Sequence, residues 1–118
     1  MDNQKDDCYY LQKIIKDIDY VIEHTKDIDI ESLENNEVLL DSVLFRFIQI
    51  SENSQSLSAE YMEKTKHLPW KYLKSMRNRI VHAYDVVRID IVYDTVKKDF
   101  PAFKEELLHT LPHDTEPM

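Results

Sequence analysis

The chain has 118 residues, 42% of them hydrophobic, enough for one modest core and too few for two domains. It has no glycine, which excludes glycine-rich phosphate loops and disfavours sheets built on tight hairpins; its single cysteine, Cys8, excludes an internal disulfide and a multi-cysteine zinc site, and fits a reducing, cytoplasmic setting. The formal net charge of −8 argues at first against a nucleic-acid binder.

The acidic opening, with Asp2, Asp6 and Asp7, has the wrong sign for a signal or transit peptide. Helical periodicity dominates after it. Cys8, Leu11, Ile15, Ile18 and Ile22 recur at three- and four-residue steps and predict a helix over about 6–26, with Cys8 a buried, inert thiol. The stretch Asp27–Glu34 is acidic and turn-like. Leu33, Leu40, Val43, Leu44, Phe47, Ile48 and Ile50 then predict a second long helix over about 33–56. That helix is apolar over more than one face, so it is central or faces a partner chain. Ser58 is placed to cap a short helix over about 59–66. Pro69 pushes Leu68 out of helical geometry and suits a first helical position, so a third substantial helix is expected over about 69–84. Tyr72, Leu73, Met76, Ile80 and Val81 are its expected packing residues, and Trp70 a core or interface anchor.

Residues 86–93 admit two readings. Val87, Ile89, Ile91 and Tyr93 alternate as in a strand, whereas Ile89, Val92, Tyr93, Val96 and Phe100 fit a helix. The helix is preferred, because a lone strand has nothing to pair with. Pro101 kinks that helix or starts another, whose apolar face Phe103, Leu107, Leu108 and Leu111 continue; the tail after Pro112 is expected to fray. No apolar run is long enough to span a membrane. The sum is an all-α fold, an antiparallel bundle of four to five helices forming one domain.

The average charge hides a polarity. Residues 1–63 carry 5 basic and 15 acidic side chains. Residues 64–88 carry Lys64, Lys66, Lys71, Lys74, Arg77, Arg79 and Arg88 against Asp85 alone. A polyanion would feel this local stripe rather than the total, although a solvated helix face also explains a charge cluster.

Within the stripe, Met76-Arg77-Asn78-Arg79-Ile80-Val81-His82-Ala83-Tyr84 gathers four potentially reactive residues. Asn78 and His82 are four residues apart, so Asn78 can hold the imidazole in one tautomer. Asp85 is three residues from His82, if the helix persists that far. Arg77 and Tyr84 would share a stripe about 10 Å apart, whereas Arg77 and His82 diverge by roughly 140°. Two copies facing each other across a dimer would enclose a substrate between them. Histidine exchanges protons near neutral pH, and a guanidinium binds phosphate through paired hydrogen bonds. Both suit phosphodiester chemistry on RNA, which brings its own 2′-OH nucleophile. The bland alternative is a packed or capping His82 and a surface ion pair at Arg77.

The run Arg77-x4-His82-x-Tyr84 resembles the RX4HXY motif of the HEPN superfamily, in its HepT-like toxin branch. Pro69-Trp70 upstream, Ile89-Asp90-Ile91-Val92-Tyr93-Asp94-Thr95-Val96 downstream, Asp99-Phe100-Pro101, and an earlier helix with Arg46 and Ile48-Gln49-Ile50-Ser51-Glu52 extend the resemblance over about 8–111. The resemblance implies a dimerising helical bundle with both motifs at a shared cleft. It implies a metal-independent endoribonuclease without a cofactor, the toxin partner of an MNT-type nucleotidyltransferase antitoxin that adenylylates Tyr84. By position, Arg77 would bind the scissile phosphate and His82 act as general base or acid. Asn78 would orient His82 or touch phosphate, and Tyr84 would be the modification site. Lys71, Lys74, Arg79 and Arg88 would extend an RNA groove. The alternative within the same superfamily is a non-catalytic nucleotide-binding or adaptor module that assists a nucleotidyltransferase. The chain departs from the common pattern at Ala83, at the Asp85-Val86 pair, at Arg88 and at Tyr93, and keeps the motif residues.

Other pairs carry less. Glu106-x-x-His109 is half of a di-iron pattern and lacks its other half, so no metal is expected there. Glu63 and His67 read as surface residues, and Pro112 interrupts the His109/His113 spacing.

Overall fold

The computed structural model describes residues 6–111. The expected frayed tail and His113 lie outside that range. Helix α1 spans Asp7–His24 and opens on Asp6, whose side chain accepts from the Tyr9 amide. Helix α2 is short, Ile30–Asn35, capped by Asp29 through the Ser32 amide. Helix α3 spans Glu37–Ser54 and is capped by Asn36 through Leu39. The single helix expected from about residue 33 is therefore two. Asn36, at φ −110° and ψ 90°, leaves helical geometry, and its amide oxygen satisfies an orphan N–H of the new first turn.

Helix α4, Ala59–Lys64, follows Ser58, which caps it and also binds Asp7 of α1 through backbone and hydroxyl. Helix α5 spans Trp70–His82, shorter at its C-terminal end than the sequence suggested. A 3₁₀ turn, Tyr84–Val86, leads to α6, Ile89–Asp94. The region open to a strand reading is thus turn and helix, and no strand occurs among the described residues. A π turn over Thr95–Asp99 joins α6 to α7, Phe100–His109. There the Phe100 amide reaches back five residues to the Thr95 carbonyl. Pro101 has no N–H for the Lys97 carbonyl four residues before it, and the wider turn relieves the clash its ring would make.

Helix α3 lies between α1 and α5, antiparallel to both, and α7 packs on α1. The apolar stripes meet in one core. Leu11, Ile14, Ile18, Phe47, Leu73 and Phe100 are fully enclosed, each contributing roughly 1.5–3 kcal/mol by burial. Phe47 stacks on Phe100 with centroids 5.2 Å apart, and Trp70 meets Phe103 edge-on at 5.3 Å. The Trp70 indole donates to Thr65 Oγ1, so this residue is a core anchor with its polar edge satisfied. Cys8 is buried beside the Gln12 amide. Val81 and Leu108, expected to pack, are 46% and 42% exposed, because each sits at the margin of its apolar stripe.

Candidate functional site

Helix α5 is amphipathic, and its two faces do different things. Trp70, Leu73, Met76 and Ile80 face the core. On the opposite side Lys71, Lys74, Ser75, Asn78, Arg79 and His82, with Ala83, line an open concavity of about 520 Å³. These positions recur at three- and four-residue steps, which places them on one outward face. Arg79 lies one turn before His82, Lys74 and Lys71 continue the same surface about 12 and 16 Å further along the helix, and no carboxylate lines it. The basic segment of the sequence is therefore concentrated where a polyanion can reach it.

Arg77 lies at the edge of α5 that touches α3. Its Nε and Nη2 both donate to Glu52 Oε2 at 2.8 Å, and Nη1 donates to Asn78 Oδ1 at 3.1 Å. With Ser51, Glu52, Gln55, Lys74 and Asn78 it lines a second concavity of about 200 Å³. Lys74 and Asn78 belong to both concavities and form the ridge between Arg77 and His82. The angular divergence of Arg77 and His82 expected from the helix is thus present, and within one chain they open onto different surfaces. Asn78 turns its amide oxygen to Arg77, and among the described residues no hydrogen bond joins it to His82.

The C-terminal end of the motif departs from the helix. The Ala83 amide closes α5 on the Arg79 carbonyl, and Ala83 itself leaves helical geometry at φ −148° and ψ 52°. Asp85 is therefore not one helical turn from His82, and Tyr84 does not share a helical stripe with Arg77. Tyr84 reaches α3 instead, and its hydroxyl donates to Asp41 Oδ1. Eleven residues separate Asp41 from Glu52, a rise of about 16 Å along α3. A continuous α5 would carry Tyr84 only about 10 Å beyond Arg77. The chain leaves the helix at Ala83 and turns at Tyr84–Val86, and from there the Tyr84 side chain meets Asp41.

Tyr84, 46% exposed, borders an acidic pocket of about 620 Å³ lined by Glu34, Asn35, Glu37, Leu40 and Asp41. The hydrogen bond to Asp41, burial, and the charges of Asp41 and Glu37 push its phenol up to about 12. Arg88 lines neither basic concavity. Its guanidinium is paired with Asp90 through Nε at 3.0 Å and Nη2 at 2.6 Å, and this pair holds the Asp90 carboxyl below its ordinary range.

Two residues contact the motif directly without having been expected at the site: Glu52, quoted only within the resembling run, and Asp41, not singled out at all. Eleven residues are three helical turns, so one face of α3 carries both, a spacing that the sequence does contain. Among the described residues no group of three or more His, Cys, Asp and Glu side chains is placed to hold a metal ion. His67 meets Glu106 across the bundle at 3.5 Å, rather than Glu63, which pairs with Lys66. No helix among them is long and apolar enough to cross a membrane.

Residues 14–110 match the HepT-like family model, described as "Ribonuclease HepT-like". The chain belongs to the HepT-like family. This HepT-like chain is 30% identical over 105 residues to "Putative RNase MJ1380" of Methanocaldococcus jannaschii, covering 89% of this chain and 96% of that one. It is 35% identical over 105 residues to "Gamma-glutamylcyclotransferase and putative RNase MJ0434" of the same organism. That match covers 89% of this chain and 47% of the relative, so the chain spans about half the length of that protein. "Probable ribonuclease HepT" of Thermococcus cleftensis is 27% identical over 95 residues, 80% of this chain and 86% of its own. No solved structure gives a significant match. Family and relatives together support a ribonuclease-type function for an all-α, HEPN-like bundle.

Proposed function

We propose that this chain is a metal-independent RNA endonuclease, the toxin of a toxin-antitoxin pair, that works as a homodimer. The observation that carries the reading is the outward face of α5, where Lys71, Lys74 and Arg79 form a row that ends at His82 with no carboxylate lining the surface. Those cations attract the RNA backbone, and counterion release adds to binding. His82 takes the 2′-OH proton, or returns one to the leaving 5′-oxygen. The 2′-oxygen attacks phosphorus, the bond to the 5′-oxygen breaks, and a 2′,3′-cyclic phosphate remains. Arg77 stabilises the charge that builds on the phosphate oxygens. A guanidinium has two usable edges, so Arg77 can keep Glu52 on its Nε/Nη2 side and turn Nη1 from Asn78 to phosphate.

The same geometry supports the dimer. Arg77 and His82 open onto different surfaces of one chain, and a second copy supplies the missing half of a shared cleft. Val38 and Phe45 on α3, with Val81 and Val86 on and after α5, leave exposed apolar surface within a turn of Asp41 and the motif for that copy to cover. Control would fall to an MNT-type nucleotidyltransferase antitoxin that adenylylates Tyr84. The added phosphodiester puts negative charge and bulk beside the RNA path.

The test is incubation of the purified protein with total cellular RNA in excess EDTA, beside His82→Ala and Arg77→Ala variants, with intact mass showing whether Tyr84 is modified. Cleavage by the wild type alone, with cyclic-phosphate ends, is the expected result. No cleavage by the folded, unmodified protein would replace this reading with a non-catalytic nucleotide-binding module. Equal cleavage by all three would overturn the assignment of the site.

A further inference from the structure

We infer that Asp41 is the general base that activates Tyr84 for nucleotide transfer, so that the modified protein supplies part of the catalytic machinery for its own modification. The inference rests on the reading of Tyr84 as nucleotide acceptor and adds a residue to that reaction. A tyrosine hydroxyl is a weak nucleophile while it keeps its proton. With the phenol pushed up to about 12, only roughly one Tyr84 in 100,000 is ionised at neutral pH. Waiting for the phenolate would be slow, so the proton has to leave as the new bond forms.

Asp41 Oδ1 accepts the Tyr84 hydroxyl hydrogen in the folded protein, which is the nucleophile-to-base contact such a transfer needs. Its helix, α3, is fixed between α1 and α5, whereas Tyr84 sits on a three-residue turn after the break at Ala83. The charged groups facing the hydroxyl are Asp41 and Glu37 from α3 and Glu34 from α2, and Asp85 follows Tyr84 on its own turn. Among the described residues only Asp41 hydrogen-bonds the hydroxyl, and no cation lines the pocket to draw the proton off by charge alone. The Tyr84 oxygen attacks the α-phosphorus of a nucleoside triphosphate and forms the O–P bond. The bond from that phosphorus to the bridging oxygen breaks, and pyrophosphate leaves with the electron pair. The phenolic proton passes to Asp41 and from there to solvent. The same carboxylate disfavours a free phenolate beforehand and accepts the proton once bonding to phosphorus has made the oxygen acidic.

The experiment uses the unmodified full chain, ATP with magnesium, and an MNT-type nucleotidyltransferase from the same genome, reading single-turnover labelling of Tyr84 by intact mass. Asp41→Asn keeps an acceptor for the hydroxyl and removes the basicity. It is expected to slow labelling about 100-fold. Its residual rate should climb about tenfold per pH unit between about pH 7 and 9, while the wild type stays nearly flat there. Asp41→Ala should be equally slow and be partly restored by added formate, a small carboxylate that fits the vacated space. A purely structural role for Asp41 would leave the pH profile unchanged and give no rescue. Circular dichroism and melting establish that the variants fold. Labelling of Asp41→Asn at the wild-type rate and pH profile would overturn the inference while leaving Tyr84 the acceptor. A wild type that acquires no label, or a Tyr84→Phe variant that still does, would overturn the acceptor reading itself.

Discussion

Helix α3 makes two arginine–carboxylate pairs, and they teach different things. On its α1 side Arg46 Nη1 lies 2.7 Å from Asp17 Oδ1, where the Asp17 side chain is only 11% exposed. The Arg46 guanidinium also sits over the Tyr20 ring at 3.8 Å, and the Tyr20 hydroxyl is bonded to Ser42. Every partner there belongs to α1 or α3, so the pair serves to lock the two helices together. On the α5 side Glu52 holds Arg77, but Glu52 is 48% exposed and the pair opens onto a concavity shared with Lys74 and Asn78. The chemistry of the two bridges is alike. Only the second has room for a third party, and an exposed pair is easily lent to a phosphate.

The sharpest test of that contrast is the loss of each arginine. Arg77→Ala, like His82→Ala, is expected to reduce RNA cleavage by about 1,000-fold or more, with a melting temperature within about 2 °C of wild type. Arg46→Ala should do the reverse. It strands Asp17 in a mostly buried position, lowering stability by about 2–3 kcal/mol in urea unfolding while activity per folded molecule is kept. A stable but inactive Arg46→Ala would break the comparison. Glu52→Gln comes next: about a tenfold lower kcat, because the guanidinium loses a charged anchor, with RNA binding no weaker because one negative charge is gone. Steady-state kinetics on a short RNA separates these two changes.

Smaller still is the contribution of single groove cations. Lys71→Ala or Lys74→Ala should each reduce the slope of log binding against log salt by about one, uniformly across RNA sequences. The smallest effect lies at alkaline pH. Tyr84 is raised in the folded state, so its contact with Asp41 contributes below the unfolded phenol value of about 10 and is lost as pH rises towards 12. Since Tyr84 is nearly half exposed, the change in stability is slight, and ultraviolet titration of the phenol is the better readout. Asp41→Asn should move that titration back towards about 10.

Much of the fold was legible because helices announce themselves locally. The three- and four-residue recurrence of Leu11, Ile15 and Ile18 and the Ser58 cap express short-range geometry and are found in place, while Pro69, expected as a first helical residue, stands one position earlier as the N-cap of α5. The divergence of Arg77 and His82 followed from helix pitch alone. The errors fell where a local signal had a close competitor. Asn36 is an ordinary residue inside a helical pattern, but its side chain caps as well as it continues, and the cap won. Tyr84 fits the helical stripe of Arg77, but its hydroxyl finds a carboxylate only when Ala83 leaves the helix.

What the sequence by itself determined is the all-α bundle, the amphipathic division of α5, and the collection of basic residues around an Arg-x4-His-x-Tyr motif. These depend on the identity and spacing of neighbours along one helix, which pitch and burial translate directly into faces. What only the tertiary structure decided is which carboxylates meet the motif. Glu52 and Asp41 lie 25 and 43 residues from Arg77 and Tyr84. They reach them because α3 and α5 pack antiparallel in one register, fixed by core residues such as Phe47 and Leu73 that take no part in the chemistry. The hydrophobic effect sets that register without regard to charge, and the polar contacts form where it leaves them.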